Sequence, residues 1–488
     1  MSSHSQGETP LLDTLKTLAN QPDAAFYAPG HKRGQGIPKR LANLLGDAVF
    51  KADLPELPEL DNLFAPETTI KAAQELAAQA FGAEQTWFLV NGSTCGVESA
   101  ILATCGEGDK IILPRNVHQS AIAGLVFSGA IPVFLDPPYN RQQDLTYCIT
   151  PEAVREALKE HPKTKAIMLV YPTYQGICGD IAAIAAIAHQ HSIPLLVDEA
   201  HGPHFSFHPD LPTSALAAGA DLTVQSSHKV IGAMTQASML HVQGSRIDRQ
   251  KLTKSLQLLQ STSPSYLLLA SLDAARGQIA TQGKELLEQT LKLSSRAINS
   301  LSQLGKLTIL KKPTKPIPGF LDLDLTRLTV GISQLGLNGF AADEILHQQL
   351  GVTAELPMLQ NLTFIISLGN TKADIEKLVQ GFATLTAKYG DRAPNIPLPT
   401  LPQPLFISNN QISPREAFFA PSATLPIEQT VDRISAEIIC PYPPGIPILM
   451  PGEKISASAL NFLQKILAAG GSITGCSDTS LKTIRVVH

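Results

Sequence analysis

Between residues 70 and 245 the sequence alternates short apolar segments of β type with alanine-rich helical segments, and this alternation constrains the fold more than any other feature. Strands that alternate with helices form sheets that are mostly parallel and covered on both faces. Ligands of such sheets bind at the carboxyl ends of the strands. The sequence therefore predicts an α/β protein with a mostly parallel seven-stranded sheet flanked by helices. The predicted strands are Trp87–Val90, Lys110–Leu113, Pro132–Leu135, Ala166–Tyr171, Pro194–Val197, Leu222–Gln225 and Ala237–Val242.

Two proline-rich segments divide the chain of 488 residues into units. The first, Lys312–Pro318, follows a long helix predicted over residues 266–304. The second, Ala393–Pro404, is typical of a stiff, extended linker. The predicted units are an N-terminal arm (1–65), a major domain (66–310), a small αβ domain (311–392), a proline-rich linker (393–406) and a C-terminal α+β domain (407–488).

Composition argues against several classes of function. A formal net charge of −4 gives no electrostatic reason to expect binding to nucleic acid or to an anionic membrane. The six cysteines lie far apart without a CxxC pair, so neither a metal site nor a disulfide framework is predicted. The N-terminus lacks the apolar core of a signal peptide, and no apolar run approaches the ~18 residues of a membrane span. We therefore expect a cytoplasmic protein.

The functional prediction depends on Lys229, in the segment Gln225–Lys229, and on Asp198, directly after the apolar segment Pro194–Val197. A lysine amine in apolar surroundings is a nucleophile toward aldehydes. A carboxylate that closes a buried strand can hold a positive charge in a dry cleft. A lysine bound to an aldehyde and an acid on a pyridinium nitrogen are the two anchors of pyridoxal 5'-phosphate. The pair predicts that cofactor, although Asp198 alone could simply cap a helix.

A turn of small residues, Asn91–Gly96, joins a predicted strand to a predicted helix. Its glycines let the backbone approach an anion, Ser93 and Thr94 supply hydroxyls, and the helix N-terminus supplies free N–H groups. Ser226, three residues before Lys229, could add another phosphate contact. Taken alone the turn is equally typical of an ordinary capped helix, and neither of the common nucleotide-binding glycine motifs occurs here.

Four further residues lie at predicted strand ends and are candidates for contacts with the cofactor ring or the substrate. His118 could lie flat on the ring, and His201 could face the phenolic oxygen of the ring or the substrate carboxylate. Thr173 and Tyr174 offer hydroxyls near the same cleft. Each of the four would be an ordinary loop residue if it stood alone.

Together these motifs resemble those of the Orn/Lys/Arg decarboxylase family of fold-type-I pyridoxal phosphate enzymes, in the short form without an additional N-terminal wing domain. The resemblance covers nearly the whole chain, and its C-terminal motifs are more specific than the cofactor motifs. The matching segments are Ala28–Gly34, Asn91–Thr94, Arg115–His118, Pro172–Tyr174, Asp198–His201, Ser226–Lys229, Ser261–Tyr266, Ser413–Ala420, Cys440–Pro447 and Pro451–Glu453.

The resemblance implies a role for each cofactor residue. Lys229 would bind the cofactor covalently, Asp198 would pair with the pyridinium nitrogen, and His118 would stack on the ring. The phosphate would be held by Ser93, Thr94 and Ser226. Thr262 lies in the segment 261–266, which would reach the cofactor of a partner subunit, because the active sites of the family are shared within a homodimer or higher homo-oligomer.

The activity implied is α-decarboxylation of a basic amino acid for polyamine synthesis. Arginine, giving agmatine, is the first expectation, followed by lysine, giving cadaverine, and then ornithine. His201 replaces a tryptophan of the long inducible enzymes, which favours the biosynthetic branch. Either Lys229 or His228 would return a proton to Cα. The distal cation of the substrate needs an acid, for which the candidates are Glu437, Glu453, Asp53, Glu56 and Asp61.

Two other classes stay open. An aminotransferase or another pyridoxal phosphate lyase would use the same cofactor anchors. It would usually also carry an arginine for the substrate carboxylate in the small domain, and no arginine occurs in residues 311–316 or 355–370. A catalytically silent regulatory homologue would bind a partner through its dimer surface, although the intact Lys229 and Asp198 count against it.

Overall fold

The computed structural model of the chain describes residues 5–390 and 410–488. The linker predicted at residues 393–406 lies outside the described residues and stays a prediction. Within the described residues no helix is both long enough and apolar enough to cross a membrane.

The helices of the described residues are α1 (Pro10–Ala19), α2 (Lys39–Leu45), α3 (Asp47–Ala52), α4 (Thr69–Phe81), α5 (Gly92–Thr104), α6 (Gln119–Ser128), α7 (Pro151–Glu160), α8 (Ile181–Gln190), α9 (Ser227–Val230), α10 (Arg249–Leu259), α11 (Tyr266–Ser302), α12 (Gly339–Leu350), α13 (Lys372–Tyr389), α14 (Pro414–Phe419) and α15 (Ala457–Ala468). The strands are β1 (Gln85–Leu89), β2 (Lys110–Pro114), β3 (Ile131–Leu135), β4 (Tyr139–Asn140), β5 (Leu145–Thr146), β6 (Thr164–Val170), β7 (Ile177–Cys178), β8 (Leu195–Asp198), β9 (Leu222–Gln225), β10 (Ser238–Val242), β11 (Thr308–Ile309), β12 (Asp322–Leu323), β13 (Arg327–Gly331), β14 (Leu356–Pro357), β15 (Asn361–Ile365), β16 (Ser422–Pro426), β17 (Cys440–Tyr442), β18 (Ser472–Thr474) and β19 (Thr483–Val487).

The central sheet contains seven strands in the order β1-β10-β9-β8-β6-β2-β3. Six of them run in one direction, and β10 is antiparallel to its neighbours β1 and β9. All seven strands predicted from the sequence lie in this sheet, so the predicted fold class is confirmed. Because the parallel strands end at one edge, the loops that follow β1, β2, β6, β8 and β9 meet there.

Helix α5 packs unusually closely against strands β1 and β9 of the central sheet. A Cβ atom added at Gly96 would lie 2.7 Å from side-chain carbons of both Leu89 and Val224, which is closer than real side chains approach. Only glycine permits this approach. The N-terminus of α5 is therefore held directly above the strand ends.

The 37-residue helix α11 joins two units. Its first part packs in the core of the major domain through Tyr266 and Leu272, and its last part packs in the core of the small domain through Ala297 and Leu301. The small domain is an antiparallel sheet in the order β11-β13-β15-β14. Strand β11, at residues 308–309, already belongs to this sheet, and the boundary at residue 311 stays a prediction.

The C-terminal unit has its own core around α15 and the two-stranded ladders β16–β19 and β17–β18. A buried ion pair fastens it to the major domain, because the guanidinium of Arg115 donates to both carboxylate oxygens of Glu453 at 3.2 and 2.9 Å. The same guanidinium donates to the carbonyl oxygens of Pro447 and Ile448. Arg115 belongs to the loop that carries His118, so the C-terminal unit supports that loop directly.

Candidate active site

A pocket of about 430 Å³ opens at the carboxyl edge of the central sheet, where ligands of such sheets bind. It is bordered by loops that follow β1, β2, β6, β8 and β9. Nine of the predicted site residues line it, namely Ser93, Thr94, His118, Tyr174, Asp198, His201, Ser226, His228 and Lys229. The structure thus brings together residues that lie as far apart in the sequence as positions 93 and 229.

Lys229 lies in the single-turn helix α9, directly after β9. Its Nζ atom is 3.0 Å from Nε2 of His201 and 5.8 Å from the ring centroid of Tyr174. Burial lowers the pKa of the Lys229 amine, and the charge of Asp198 opposes part of this effect. The surroundings therefore favour the neutral amine, which is the nucleophilic form.

Asp198 is the last residue of β8 and is buried. Its Oδ1 atom accepts a hydrogen bond from the amide of Ala200 at 3.2 Å, and the residue lines the pocket. Burial raises the pKa of this carboxyl group, while the charge of Lys229 opposes the shift. A carboxylate in this position would be stabilised by a cationic group in the pocket.

A chain of buried hydrogen bonds behind Asp198 was not predicted from the sequence. The carboxylate of Glu199 accepts hydrogen bonds from the amide of Ala215 at 2.7 Å and from Gln225 at 2.8 Å. Gln225 also contacts His241 at 3.1 Å, and His241 contacts Thr86 at 2.8 Å. Burial raises the pKa of Glu199 to about 8. The chain links β1, β10, β9 and the end of β8, and so holds the strand ends in register beneath the pocket.

Three serine hydroxyls converge at the N-terminus of α5. The Oγ atom of Ser93 is 2.7 Å from that of Ser226 and 3.3 Å from that of Ser238. Thr94 is exposed in the first turn of α5 and also lines the pocket. Hydroxyls around the N-terminus of a 13-residue helix are suited to an anion such as a phosphate. The third hydroxyl, Ser238, had no signal in the sequence because it lies on the antiparallel strand β10.

His118 is held from both sides. Its Nδ1 atom accepts a hydrogen bond from the amide of Ser120 at 3.2 Å. The C-terminal unit lies on the other side, where a Cβ atom at Gly445 would be 3.4 Å from Nε2 of His118 and the Gly445 carbonyl accepts from the amide of Gln119. Burial, with a smaller effect of Lys229, lowers the pKa of His118 to about 4. The ring is therefore neutral at physiological pH, as stacking on a planar ligand requires.

The other two histidines of the pocket are also neutral. His201 packs on the ring of Tyr174 with 4.8 Å between centroids, and burial lowers its pKa well below the usual range. The Nδ1 atom of His201 has no hydrogen-bond partner among the described residues. His228 contacts the carbonyl of Ala237 through Nδ1 at 3.0 Å, and burial lowers its pKa as well.

Two predicted residues do not reach the pocket in this chain. The Oγ1 atom of Thr173 accepts a hydrogen bond from the amide of Ile177 at 3.1 Å, and Thr173 lines a neighbouring cavity instead. Thr262 is exposed at the surface between α10 and α11. An exposed position fits the expectation that Thr262 serves a partner subunit, which stays a prediction.

The two acids predicted from the C-terminal unit to bind the substrate do not line the pocket. Glu437 accepts hydrogen bonds from the amides of Ser477 and Arg485 at 2.8 and 3.1 Å. Glu453 is occupied by Arg115 and by the amide of Met450 at 3.0 Å. Both oxygens of each carboxylate accept hydrogen bonds inside the protein, which favours a structural role. A role of either residue in substrate binding stays a prediction.

The acids predicted from the N-terminal segment also have partners inside the protein, although Oε1 of Glu56 has none among the described residues. Asp61 accepts hydrogen bonds from the amides of residues 62, 67 and 68 and so organises the start of α4. Asp53 pairs with His31 at 3.0 Å, and Glu56 contacts Asn62 at 3.2 Å.

Two residues of the small domain, Arg327 and Glu355, were not predicted from the sequence to belong to the site. Arg327, at the start of β13, is buried and donates to the carbonyl of His201 at 3.1 Å, while its Nε and Nη1 atoms have no hydrogen-bond partner among the described residues. Glu355 is exposed before β14, and its charge opposes the lowering of the pKa of Lys229, His228 and Arg327. The sequence places both residues in a different domain from Lys229, so local patterns carried no signal for them.

The sheet order and the half-buried lysine after β9 are those of fold-type-I pyridoxal phosphate enzymes. Two family models match the chain. That of the Orn/Lys/Arg decarboxylase, major domain, matches residues 9–317, and that of the Orn/Lys/Arg decarboxylase, C-terminal domain, matches residues 409–477. The chain therefore belongs to the Orn/Lys/Arg decarboxylase family.

Known proteins agree with this assignment over the full length. The chain is 37% identical to the arginine decarboxylase of Bacillus subtilis over 488 residues, which covers 99% of this chain and 98% of that protein. It is 38% identical to the arginine decarboxylase of Halalkalibacterium halodurans, with the same coverage. The crystal structure of the lysine decarboxylase of Francisella novicida superposes with a TM-score of 0.83 at 22% identity, covering 98% of this chain and 81% of that one. The last match shows a shared fold.

Proposed function

We propose that this protein is a pyridoxal 5'-phosphate-dependent α-decarboxylase of a basic amino acid, with arginine as the preferred substrate and agmatine as the product. The observation that carries the proposal is the half-buried amine of Lys229, which lies 3.0 Å from His201 in the same pocket as Asp198, at the edge of the sheet. The full-length identity to arginine decarboxylases supports the choice of substrate.

The residues of the pocket fit the cofactor. Lys229 would bind its aldehyde covalently, Asp198 would pair with the ring nitrogen, and His118 would lie on the ring. Ser93, Thr94 and Ser226 would hold the phosphate at the N-terminus of α5, and the buried Ser238 would orient the hydroxyl of Ser93. When bound, the cofactor takes up the electron pair that remains on Cα after the carboxylate leaves as CO2.

The protein contributes three further effects. The lowered pKa of Lys229 keeps its amine ready to be exchanged for the amine of the substrate. His201 is positioned to share a proton with Nζ of Lys229. The buried walls disfavour the charged substrate carboxylate more than neutral CO2, which lowers the barrier to its loss. The proton returned to Cα would come from Lys229 or His228.

Glu355 is the acid that we propose for the distal cation of the substrate. It is exposed, it precedes β14 of the small domain, and its charge acts on Lys229, His228 and Arg327. Glu355 does not itself line the pocket of Lys229. An exposed carboxylate whose charge reaches these residues can accept a charge-assisted hydrogen bond from a guanidinium or an ammonium group that extends out of the pocket.

One incubation tests the proposal. Purified protein and added cofactor are supplied separately with arginine, lysine and ornithine, and the CO2 released and the amine formed are identified. We expect agmatine to form fastest, then cadaverine, then putrescine. Formation of a keto acid without CO2 would indicate an aminotransferase instead. A protein that stays colourless with added cofactor would indicate a regulatory homologue.

We also propose a homodimer, or a higher homo-oligomer, with shared active sites. Helix α2 has no buried residue, and Leu44 and Leu258 are 78% and 76% exposed, as expected of a surface that a partner covers. If Thr262 serves the partner's pocket, mixing K229A with T262R should restore activity through hybrid dimers. Lack of restoration after subunit exchange would contradict shared sites.

The remaining expectations concern the cell. All six cysteines are free, which fits a reducing compartment such as the cytoplasm. Agmatine can serve as a precursor of polyamines, so we propose that the reaction belongs to polyamine synthesis. Loss of polyamines in a strain that lacks the protein, and their return with added agmatine, would check this placement.

A further inference from the structure

A second cavity, of about 120 Å³, lies where the three units of the chain meet. We call it the junction cavity. It is bordered by Tyr139, Asp144 and Tyr174 of the major domain, Phe340 of the small domain, and Pro444 and Ile466 of the C-terminal unit. Its size is close to that of an apolar cavity that holds benzene, ~150 Å³. A ligand with a short aliphatic stem therefore fits its mainly apolar walls.

One charged group faces this apolar space. Asp144 is only 3% exposed, and its Oδ1 atom accepts a hydrogen bond from the hydroxyl of Tyr139 at 2.6 Å. Among the described residues no cation pairs with this carboxylate. Burial raises the pKa of Asp144 to about 6, which still leaves it ionised at neutral pH. A buried charge without a counter-ion is costly, so the site gains stability when a cation enters.

The junction cavity and the pocket of Lys229 share a wall. Val170 and Tyr174 border both spaces. The ring of Tyr174 packs on His201, and His201 contacts Lys229 at 3.0 Å. A molecule in the junction cavity would therefore contact Tyr174, whose ring packs on His201, the residue that contacts the amine of Lys229.

We propose that the junction cavity is a second binding site, for a small organic cation with N–H donors and a short aliphatic stem, and that Asp144 is its counter-ion. The free carboxylate oxygen would accept a charge-assisted hydrogen bond from the cation, and the apolar walls would cover the stem. The aromatic faces of Tyr139 and Tyr174 suit a cation as well. The site is independent of the reaction proposed above.

The test uses n-propylguanidinium, because a guanidinium does not react with an aldehyde as a primary amine does. Binding to the holoenzyme is measured by titration calorimetry at neutral pH, with the parent protein, D144N and I466F compared. D144N keeps the hydrogen bond to Tyr139 and removes the charge. I466F keeps the charge and fills the cavity. All three proteins also carry E355Q, which removes the guanidinium contact proposed for the pocket of Lys229. With the wild-type residues at 144 and 466 we expect one site per chain, and we expect at least tenfold weaker binding in each variant.

The neutral ligand 1-butanol separates the contribution of the Asp144 charge to binding from that of the cavity volume. Its binding should be unchanged by D144N and lost in I466F. Unchanged cofactor absorbance in both variants shows that the fold is intact. The proposal is overturned if propylguanidinium fails to bind the parent protein. It is equally overturned if both variants bind it as tightly as the parent protein does, because the guanidinium would then occupy the pocket of Lys229 or the surface.

Discussion

The pocket around Lys229 and the junction cavity share Tyr174 as a wall but are built in opposite ways. The pocket is formed by the ends of neighbouring strands and contains three histidines, three serine hydroxyls and a lysine. The junction cavity is formed by side chains from three units and contains a single carboxylate among apolar groups. The first arrangement holds reacting groups in fixed positions, whereas the second offers shape and one charge. The difference indicates that chemistry belongs to the pocket and only binding to the cavity.

Removal of the Lys229 amine is the strongest test of this division. K229A should lower decarboxylation by at least ~10³-fold, because the covalent anchor and the proton carrier are both lost. The control K159A changes an exposed lysine of α7 and should have no effect. Release of CO2 and borohydride trapping of the cofactor measure the outcome. Normal turnover by K229A would end the assignment of chemistry to the pocket.

Loss of the charge of Asp198 should also have a large effect. D198N keeps the shape of the side chain but leaves a cationic ring nitrogen without a partner, which costs about 3–5 kcal/mol, or roughly 10²–10⁴-fold in rate. The cofactor absorbance should shift at the same time. D210N alters an exposed acid of the nearby surface and should change neither rate nor absorbance.

Stability should depend on pH through His118. Its pKa is about 4 in the folded chain and ~6.5 when unfolded, so the unfolded state binds more protons between these values. The stabilisation is present above pH 6.5 and is lost as the pH falls toward 4, by roughly 3 kcal/mol. Urea unfolding of the apoprotein at pH 7.5 and pH 4.5 should show a smaller decrease for H118N than for wild type. Equal decreases would contradict the buried neutral ring.

Glu355 and Glu437 form a matched pair for substrate recognition. E355Q should raise the KM for arginine about 10–100-fold, the value of one charge-assisted hydrogen bond, with unchanged cofactor absorbance. E437Q should leave KM unchanged and lower thermal stability, because its carboxylate is used inside the C-terminal unit. The opposite result would return the substrate site to the C-terminal unit.

The smallest expected effect concerns the third hydroxyl of the phosphate site. S238A should weaken cofactor binding by about 2–10-fold, the value of a neutral hydrogen bond. S295A removes an exposed hydroxyl of α11, away from the cofactor site, and serves as the control. Equal cofactor affinity in S238A and wild type would limit the phosphate site to Ser93, Thr94 and Ser226.

The sequence carried most of the information on the pocket because strand-end residues follow local patterns. The apolar segments before Asp198 and Lys229 predicted both the strands and the direction in which their loops point. Contacts between units have no such local pattern. Arg327 and Glu355 lie far along the chain and in another domain. The sequence offers Glu453 as a free acid, whereas in the structure its carboxylate pairs with Arg115. The junction cavity depends on three units at once, so nothing in the sequence indicated it.

The ion pair between Arg115 and Glu453 has a practical consequence for engineering. A chimera that exchanges the C-terminal unit of this enzyme for that of a relative must keep a matching acid, or Arg115, in the loop that carries His118, becomes a buried charge without a partner. In a redesign of substrate specificity, residues 440–453 and the loop of His118 therefore have to be replaced together.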